Sequence, residues 1–209
     1  MSSFVPRKAL GKFMHVTDVP IRLGGGKSLV YFLGAGFCPY CAAERWAIVE
    51  ALARFGTWTG LLEDSSAARD EKFLNIPTLN LSRSEYQSEY IEFTARETSD
   101  RNFEPLQELA ESDYEILDKY NPDQIIPFLL IDGQYVQVGS GYSPQLLEGM
   151  DHSKVKSQIK SGDTALGRSI NEEADNITAL ACKSVGGKLA ACSSKPVMDL
   201  LGKLSLNHR

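Results

Sequence analysis

Ser28-Leu29-Val30-Tyr31-Phe32-Leu33-Gly34-Ala35-Gly36-Phe37-Cys38-Pro39-Tyr40-Cys41 decides the fold. Its first six residues are too few for a helix, rich in β-formers and bounded by glycines on both sides. That is how a buried central strand reads. Gly34-Ala35-Gly36 breaks the strand, and Pro39 suits a first helical position, where a missing N–H costs nothing. From Pro39 to about Phe55 the pattern is helical, with Trp46, Val49 and Ala53 at i, i+3 and i+7 and Gly56 as the stop. The two cysteines therefore fall in the first turn of a helix that follows a strand and a tight turn.

Chemistry follows from that placement. A helix N-terminus offers unpaired N–H groups and about half a positive charge, which favours a thiolate over a thiol. A cysteine there can have its pKa lowered from about 8.5 to roughly 3.5–7.5. Cys38, the more N-terminal sulfur, is the candidate nucleophile. Cys41, one turn on, is placed to attack a mixed disulfide at Cys38 and release its partner, so two cysteines suffice for a full exchange cycle.

Outward from this site the signals thin. A second strand reads from Pro77 to Leu81. Residues 82–103 are polar with interleaved aromatics and show no clear element; Tyr86, Tyr90 and Phe93 read as core packing more than as the rim of a substrate groove. Leu106, Leu109, Ile116 and Leu117 predict one or two short helices before Tyr120. Pro127–Ile131 and Gln134–Val138 flank Asp132-Gly133, a dipeptide suited to a type I′ hairpin turn. Ser143-Pro144 predicts a helix start. A last helix sets Ile170, Ala174, Ile177 and Ala181 on one face and ends near Gly186-Gly187. Residues 1–27 read as an irregular lead-in with a flexible joint at Gly24-Gly25-Gly26, and residues 28–209 as a single domain.

Composition narrows the classes. The 209 residues are 43% hydrophobic and 23% charged, in the globular range. No apolar run approaches the roughly 20 residues that span a bilayer. A formal charge of −5 with no Lys/Arg block leaves no nucleic-acid footprint. His15, His152 and His208 are too scattered for a metal site, and no cofactor is expected. Gly26-Lys27-Ser28 fails as a phosphate-binding loop because Ile21 stands where glycine is required and a strand follows. Met1–Val16 has no apolar core of a signal peptide. The expected location is the cytoplasm if Met1 is the native start, and outside it if a leader or anchor has been removed.

Cys182 and Cys192 would close an 11-residue loop. Their spacing is wrong for a zinc knuckle beside Cys38/Cys41. The pair reads as a structural disulfide; two free thiols, or a shuttle dithiol serving Cys38/Cys41, are the other readings. A persistent bridge suits an oxidising compartment or a hyperthermophile cytoplasm.

Taken together, strand, Cys-Pro-Tyr-Cys, helix, then Ile-Pro, strand, Asp-Gly, strand, helix resembles the thioredoxin superfamily. GAGFCPYCAAERWAIVEALARFGTWTGL (34–61), NIPTLNLSRSEYQSEYIEFTARET (75–98), IPFLLIDGQYV (126–136) and ITALACKSVGGKLAAC (177–192) are similar, more narrowly, to an uncharacterised thioredoxin-like family of archaeal and bacterial proteins. The resemblance implies an α/β thioredoxin-like fold: a central mixed sheet flanked by helices, an insert at about 82–126 before the cis-proline strand, and an added C-terminal helical segment at about 163–209. It also implies Cys38 as nucleophile, Cys41 as resolving thiol, and a cis proline facing them. Pro77 and Pro127 are the candidates; Pro127 is favoured because it opens a strand leading into the Asp132-Gly133 hairpin. Pro39 and Tyr40, with Ile126 and Pro127, are the expected substrate contacts. One departure stands out: the family's buried acid, six residues before the first cysteine, is Phe32 here. Proton transfer from Cys41 would then use water or another group, Glu44 being nearest in sequence.

The expected function is thiol–disulfide exchange with protein thiols, served by an unidentified redox-recycling partner, in either direction of electron flow. A non-catalytic binding or scaffold module with a structural CxxC bridge is the alternative. A glutathione-dependent enzyme of glutaredoxin type is a third, disfavoured by the chain's extra length.

Overall fold

A computed structural model describes residues 5–21, 26–186 and 189–206. Its centre is β3 (Ser28–Gly34), buried along its whole length. Alternation divides its side chains between two cores: Val30 and Phe32 on one face, Leu29, Tyr31 and Leu33 on the other. β3 runs parallel to β8 (Ile91–Glu97) and antiparallel to β9 (Phe128–Ile131). Beyond β9 lie β10 (Tyr135–Val138), β2 (Met14–His15) and β1 (Arg7–Lys8), giving a mixed six-stranded sheet in the order β1-β2-β10-β9-β3-β8. β9 and β10 join through Asp132 (φ 57°) and Gly133 (φ 71°), the paired positive φ angles of a type I′ turn.

α1 (Pro39–Leu52) lies on one face of the sheet and α2 (Glu111–Tyr120) contributes Leu117 to the core on the other. α1 is buried nearly all round, because α4 (Ala165–Val185) and β6 (Pro77–Asn80) pack on its flanks. The expected stripe therefore extends to every side of the helix, and Ala53, its last member, is exposed just past the helix end. α3 (His152–Ser161) is capped by Asp151 and α4 by Thr164, each side chain accepting a backbone N–H of the first turn. Ser143-Pro144 opens only a 3-10 turn, Pro144–Leu147. Among the described residues no helix is long and apolar enough to cross a membrane.

Several expectations are corrected. The stretch 82–126, which shows no clear strand in the sequence, supplies β8, in register with β3 from Ser28↔Ile91 to Gly34↔Glu97. Two further strand pairs lie between α1 and β8. There β4 (Gly56–Thr59) pairs with β7 (Glu85–Ser88), and β5 (Leu62–Ser65) pairs with β6, as two ribbons apart from the central sheet. The lead-in is not wholly irregular either, since β1 and β2 extend the sheet beside β10. α4 is not the last helix; α5 (Lys195–Leu206) follows it. Gly24, Gly25 and Gly187 lie outside the described residues.

The β4–β7 ribbon is held to β8 by aromatic packing. Trp58, Tyr86 and Phe93 meet with ring centroids 4.8–6.1 Å apart, and Tyr86 Oη donates to Leu52 O at 2.9 Å. Burial pushes the Tyr86 phenol up to about 12. Tyr90, which lies between Tyr86 and Phe93 in the sequence, is exposed.

A buried carboxyl pair joins α1 to α4. Glu44 accepts from Gln137 Nε2 at 3.0 Å and from Gly141 N–H at 2.7 Å, facing Glu173. Burial raises the Glu44 pKa well above the usual carboxylate range, and the Glu173 charge raises it further; burial also raises Glu173. A carboxyl whose folded pKa is raised supports the fold below its unfolded pKa and withdraws that support as pH rises through the folded value. Stability should therefore decline as pH rises above the ordinary glutamate range, and Glu173→Gln should flatten the decline. Thermal melts between about pH 5 and about pH 8 check this; parallel pH dependence in variant and parent would contradict it.

Candidate active site

β3 delivers the chain into Gly34-Ala35-Gly36. At Gly36 a Cβ would meet the Asp100 and Arg101 backbone at 2.8 Å, so only glycine lets the turn pack there. Cys38 then takes the N-cap of α1 in an extended conformation, with its Sγ accepting the Cys41 N–H at 3.2 Å. Pro39 is the first helical residue. The cap that serine or aspartate usually supplies is here a sulfur. Both thiols are free and buried, Cys38 at 5% exposure and Cys41 at 0%.

The two sulfurs are electrostatically unequal. The Cys38 thiol is held below its ordinary pKa, first by the hydrogen bond from the Cys41 thiol, then by backbone N–H groups of the first turn and the Arg45 charge. These outweigh its own desolvation. Cys41 is pushed well above its ordinary value by burial, and the hydrogen bond and charge at Cys38 add to the shift. Of the two, the outer sulfur is the more readily ionised and the inner one holds its proton more tightly.

Beneath them lies an ion pair. Arg45 Nε and Nη2 donate to the two Glu97 oxygens at 2.7 Å each, and Nη2 also reaches Ala35 O at 2.8 Å. Arg45 and Glu97 are buried at 2% and 3% exposure. Burial works against the Arg45 charge, but Glu97 outweighs it and raises the guanidinium above its ordinary pKa. Arg45 lies 5.8 Å from the ring centre of Phe32. Glu44 does not serve Cys41, since its carboxyl is taken up by Gln137, Gly141 and Glu173. Arg45 acts on both sulfurs, and Glu97 acts on Cys41.

Around the dithiol, two loops close in. Ala67 N–H donates to Phe37 O at 3.1 Å, and Tyr40, 38% exposed, meets the Phe73 ring edge-on. On the other side Phe37 stacks on Phe103 with centroids 4.6 Å apart. The Ile126–Pro127 peptide is cis. With Leu33 opposite Phe128, Pro127 lies next to the strand end from which the Cys38 turn departs. Asn121 braces the approach, exchanging two hydrogen bonds of 3.0 and 3.1 Å with the Ile125 backbone. Ile126 is half-buried and packs on both cores. Pro77 is elsewhere: it opens β6, and its carbonyl accepts from Trp46 Nε1 at 2.8 Å.

Cys182 and Cys192 form a disulfide, with Cα atoms 5.7 Å apart. Arg54, just past the C-terminal end of α1, bonds Asp175 and Thr178 on α4. Cys182 lies one turn beyond Thr178, whereas Cys41 lies at the N-terminal end of α1, about 20 Å away along its axis. The bridge and the dithiol thus belong to opposite ends of the α1–α4 packing. The chain-entropy estimate for an 11-residue loop is about 2.8 kcal/mol. Replacing both bridge cysteines by serine should lower unfolding stability by about that amount in a denaturant titration, and an unchanged midpoint would contradict it. Among the described residues no group of three His, Cys, Asp or Glu side chains is placed to hold a metal ion.

A family model described as "Domain of unknown function (DUF929)" matches residues 23–183. No curated protein and no solved structure matches the chain.

Proposed function

The chain belongs to the DUF929 family, whose description names no activity, and from the site itself we propose that it is a thiol–disulfide oxidoreductase working through Cys38 and Cys41. The observation that carries this reading is the unequal pair at one helix N-terminus, a capping sulfur with lowered pKa beside a buried one with raised pKa. An inert bridge has no need of such a difference. A thioredoxin-like fold is supported by element order: strand, dithiol helix, parallel strand, helix, cis-proline strand, strand, helix.

In the reducing direction, the Cys38 thiolate attacks one sulfur of a substrate disulfide. A Cys38–substrate disulfide forms and the other substrate sulfur leaves as a thiolate. Cys41, on losing its proton, attacks Cys38 Sγ; the Cys38–Cys41 bond forms and the second substrate thiol is released. Two electrons have passed to the substrate, and a recycling dithiol must return them. The oxidising direction is the reverse. Arg45 favours thiolate at both sulfurs, while Glu97 disfavours it at Cys41. Burial, with the hydrogen bond and charge at Cys38, keeps the proton on Cys41 until Cys38 is engaged, and Glu97 offsets part of the Arg45 effect there.

Burial of both sulfurs is the observation that favours the scaffold alternative. Alkylation distinguishes the two. Cys38 should react with iodoacetamide along a pH curve whose midpoint lies below the ordinary thiol value of about 8.5, with Cys41 unmodified. A midpoint at or above that value, or equal labelling of both sulfurs, would favour the scaffold. Cys38→Ser should abolish exchange with a disulfide-bonded model protein while leaving the fold intact; retained exchange would remove the enzyme reading.

A further inference from the structure

β8 is the outer strand of the sheet, paired with β3 on one side only. The register fixes which of its groups face outward. Ser28 N–H donates to Tyr90 O and Thr98 N–H to Gly34 O, both at 3.0 Å. The N–H groups of Glu92, Thr94 and Arg96 therefore point to β3, and those of Ile91, Phe93, Ala95 and Glu97 point away. Side chains close both ends of that outward row. Ser88 Oγ accepts from Ile91 N–H at 3.3 Å, and Gln107 Oε1 accepts from Glu97 N–H at 2.7 Å. Between them, no hydrogen-bond partner among the described residues meets the outward N–H of Phe93 or Ala95.

This open window faces a polar recess of about 270 Å³, walled by Leu81, Ser82, Ser84 and Tyr86. The recess shares Leu81 and Ser82 with a second of about 280 Å³, which passes Arg45 and Glu97 and reaches Gly36. Gly36 stands two residues before Cys38. Two adjoining recesses, divided by the Leu81–Ser82 wall, thus line the groove between the uncapped sheet edge and the turn that precedes the dithiol.

We propose that this groove holds an extended polypeptide segment, added as a strand on β8 and directed toward Cys38. Phe93 and Ala95 present N–H and C=O groups two residues, about 6.7 Å, apart, a repeat that another extended backbone answers. Capping of the flanking amides limits the pairing to that short window, so the edge does not template open-ended association. Arg83, on the wall beside Ser82, has no carboxylate partner among the described residues, which favours an acidic side chain on the segment. The identity of the occupant as a redox substrate rests on the exchange reading above; the groove itself does not.

The test uses the full chain and a cysteine-free octapeptide of alternating threonine and valine with one aspartate. Amide hydrogen exchange at Phe93 and Ala95 should slow by about tenfold or more at saturating peptide. Thr94 and Arg96, already bonded to β3, should be unchanged. The same peptide N-methylated at alternate residues should give no protection. Unaltered exchange at Phe93 and Ala95, or equal protection by the N-methylated peptide, would overturn the proposal. Because the probe has no cysteine, its binding is read independently of exchange; protection beside a failure of Cys38 to exchange with a disulfide-bonded model protein would remove the redox reading and leave the groove standing.

Discussion

Arg45→Met is expected to destabilise the protein by about 3–5 kcal/mol, because it leaves the Glu97 carboxylate unpaired in the core. Both partners are buried and joined by two hydrogen bonds of 2.7 Å, so solvent screens little of their interaction. For a chain of this size the melting temperature should fall by about 6–20 °C. Pairing the change with Glu97→Leu should restore most of the loss, since replacing both charges by apolar groups is often near neutral. The double variant also isolates the pair's chemical part. With the fold recovered, the pH midpoint of Cys38 alkylation should rise, because the Arg45 charge that favours its thiolate has gone. A loss below about 1 kcal/mol for Arg45→Met, the scale of an exposed pair, would contradict the buried placement.

Cys41→Ser should have the largest effect on turnover. Without the resolving sulfur, the Cys38–substrate disulfide has no intramolecular route to breakdown, so it accumulates as a covalent adduct that survives denaturation and disappears with dithiothreitol. Breakdown by a solution thiol at millimolar concentration should be slower by about 10³-fold or more, since a neighbouring sulfur acts at a far higher effective concentration. Mass spectrometry of the variant after incubation with a disulfide-bonded model protein gives the readout. Failure to trap any adduct at Cys38, with the parent protein active, would contradict the division of labour between the two sulfurs.

Local signals in the sequence carried the strand, turn and dithiol helix from Ser28 to Leu52, as well as the Asp132-Gly133 hairpin. Each rests on neighbours within a few residues: an apolar run, a glycine break, a proline at the first helical position, a turn dipeptide. What was not legible depends on distant partners. β8 reads Ile-Glu-Phe-Thr-Ala-Arg-Glu, the mixed pattern of a half-exposed edge strand, and its place is set by pairing with β3 far upstream. The ribbons between α1 and β8 are similarly short and half-exposed. Ala53 continues the helical spacing of Trp46 and Val49 but lies just past the end of α1 and is exposed, because periodicity alone does not fix where a helix ends.

The same division runs through the site. Cys38 and Cys41 announce themselves by spacing. Arg45 and Glu97 do not, because Arg45 looks like a surface cation on a helix and Glu97 approaches it from another strand. The absence of an acid at Phe32 was the available clue that another group acts on Cys41. It pointed to Glu44, the nearest carboxyl in sequence, whereas the fold turns Glu44 toward Glu173 and brings Glu97 across.

The central claim is that Cys38 and Cys41 form and break a disulfide reversibly. Equilibrating the protein in glutathione or dithiothreitol buffers of graded potential, with alkylation and mass mapping of each thiol, tests it most directly. The account predicts a single two-electron transition confined to Cys38 and Cys41, with a midpoint between about −270 and about −120 mV, the range of exchange enzymes. A midpoint near the lower end would make it a reductase, and one near the upper end a disulfide donor. A pair that stays oxidised in every buffer, or never forms a bridge, would contradict the account and leave the scaffold reading in its place.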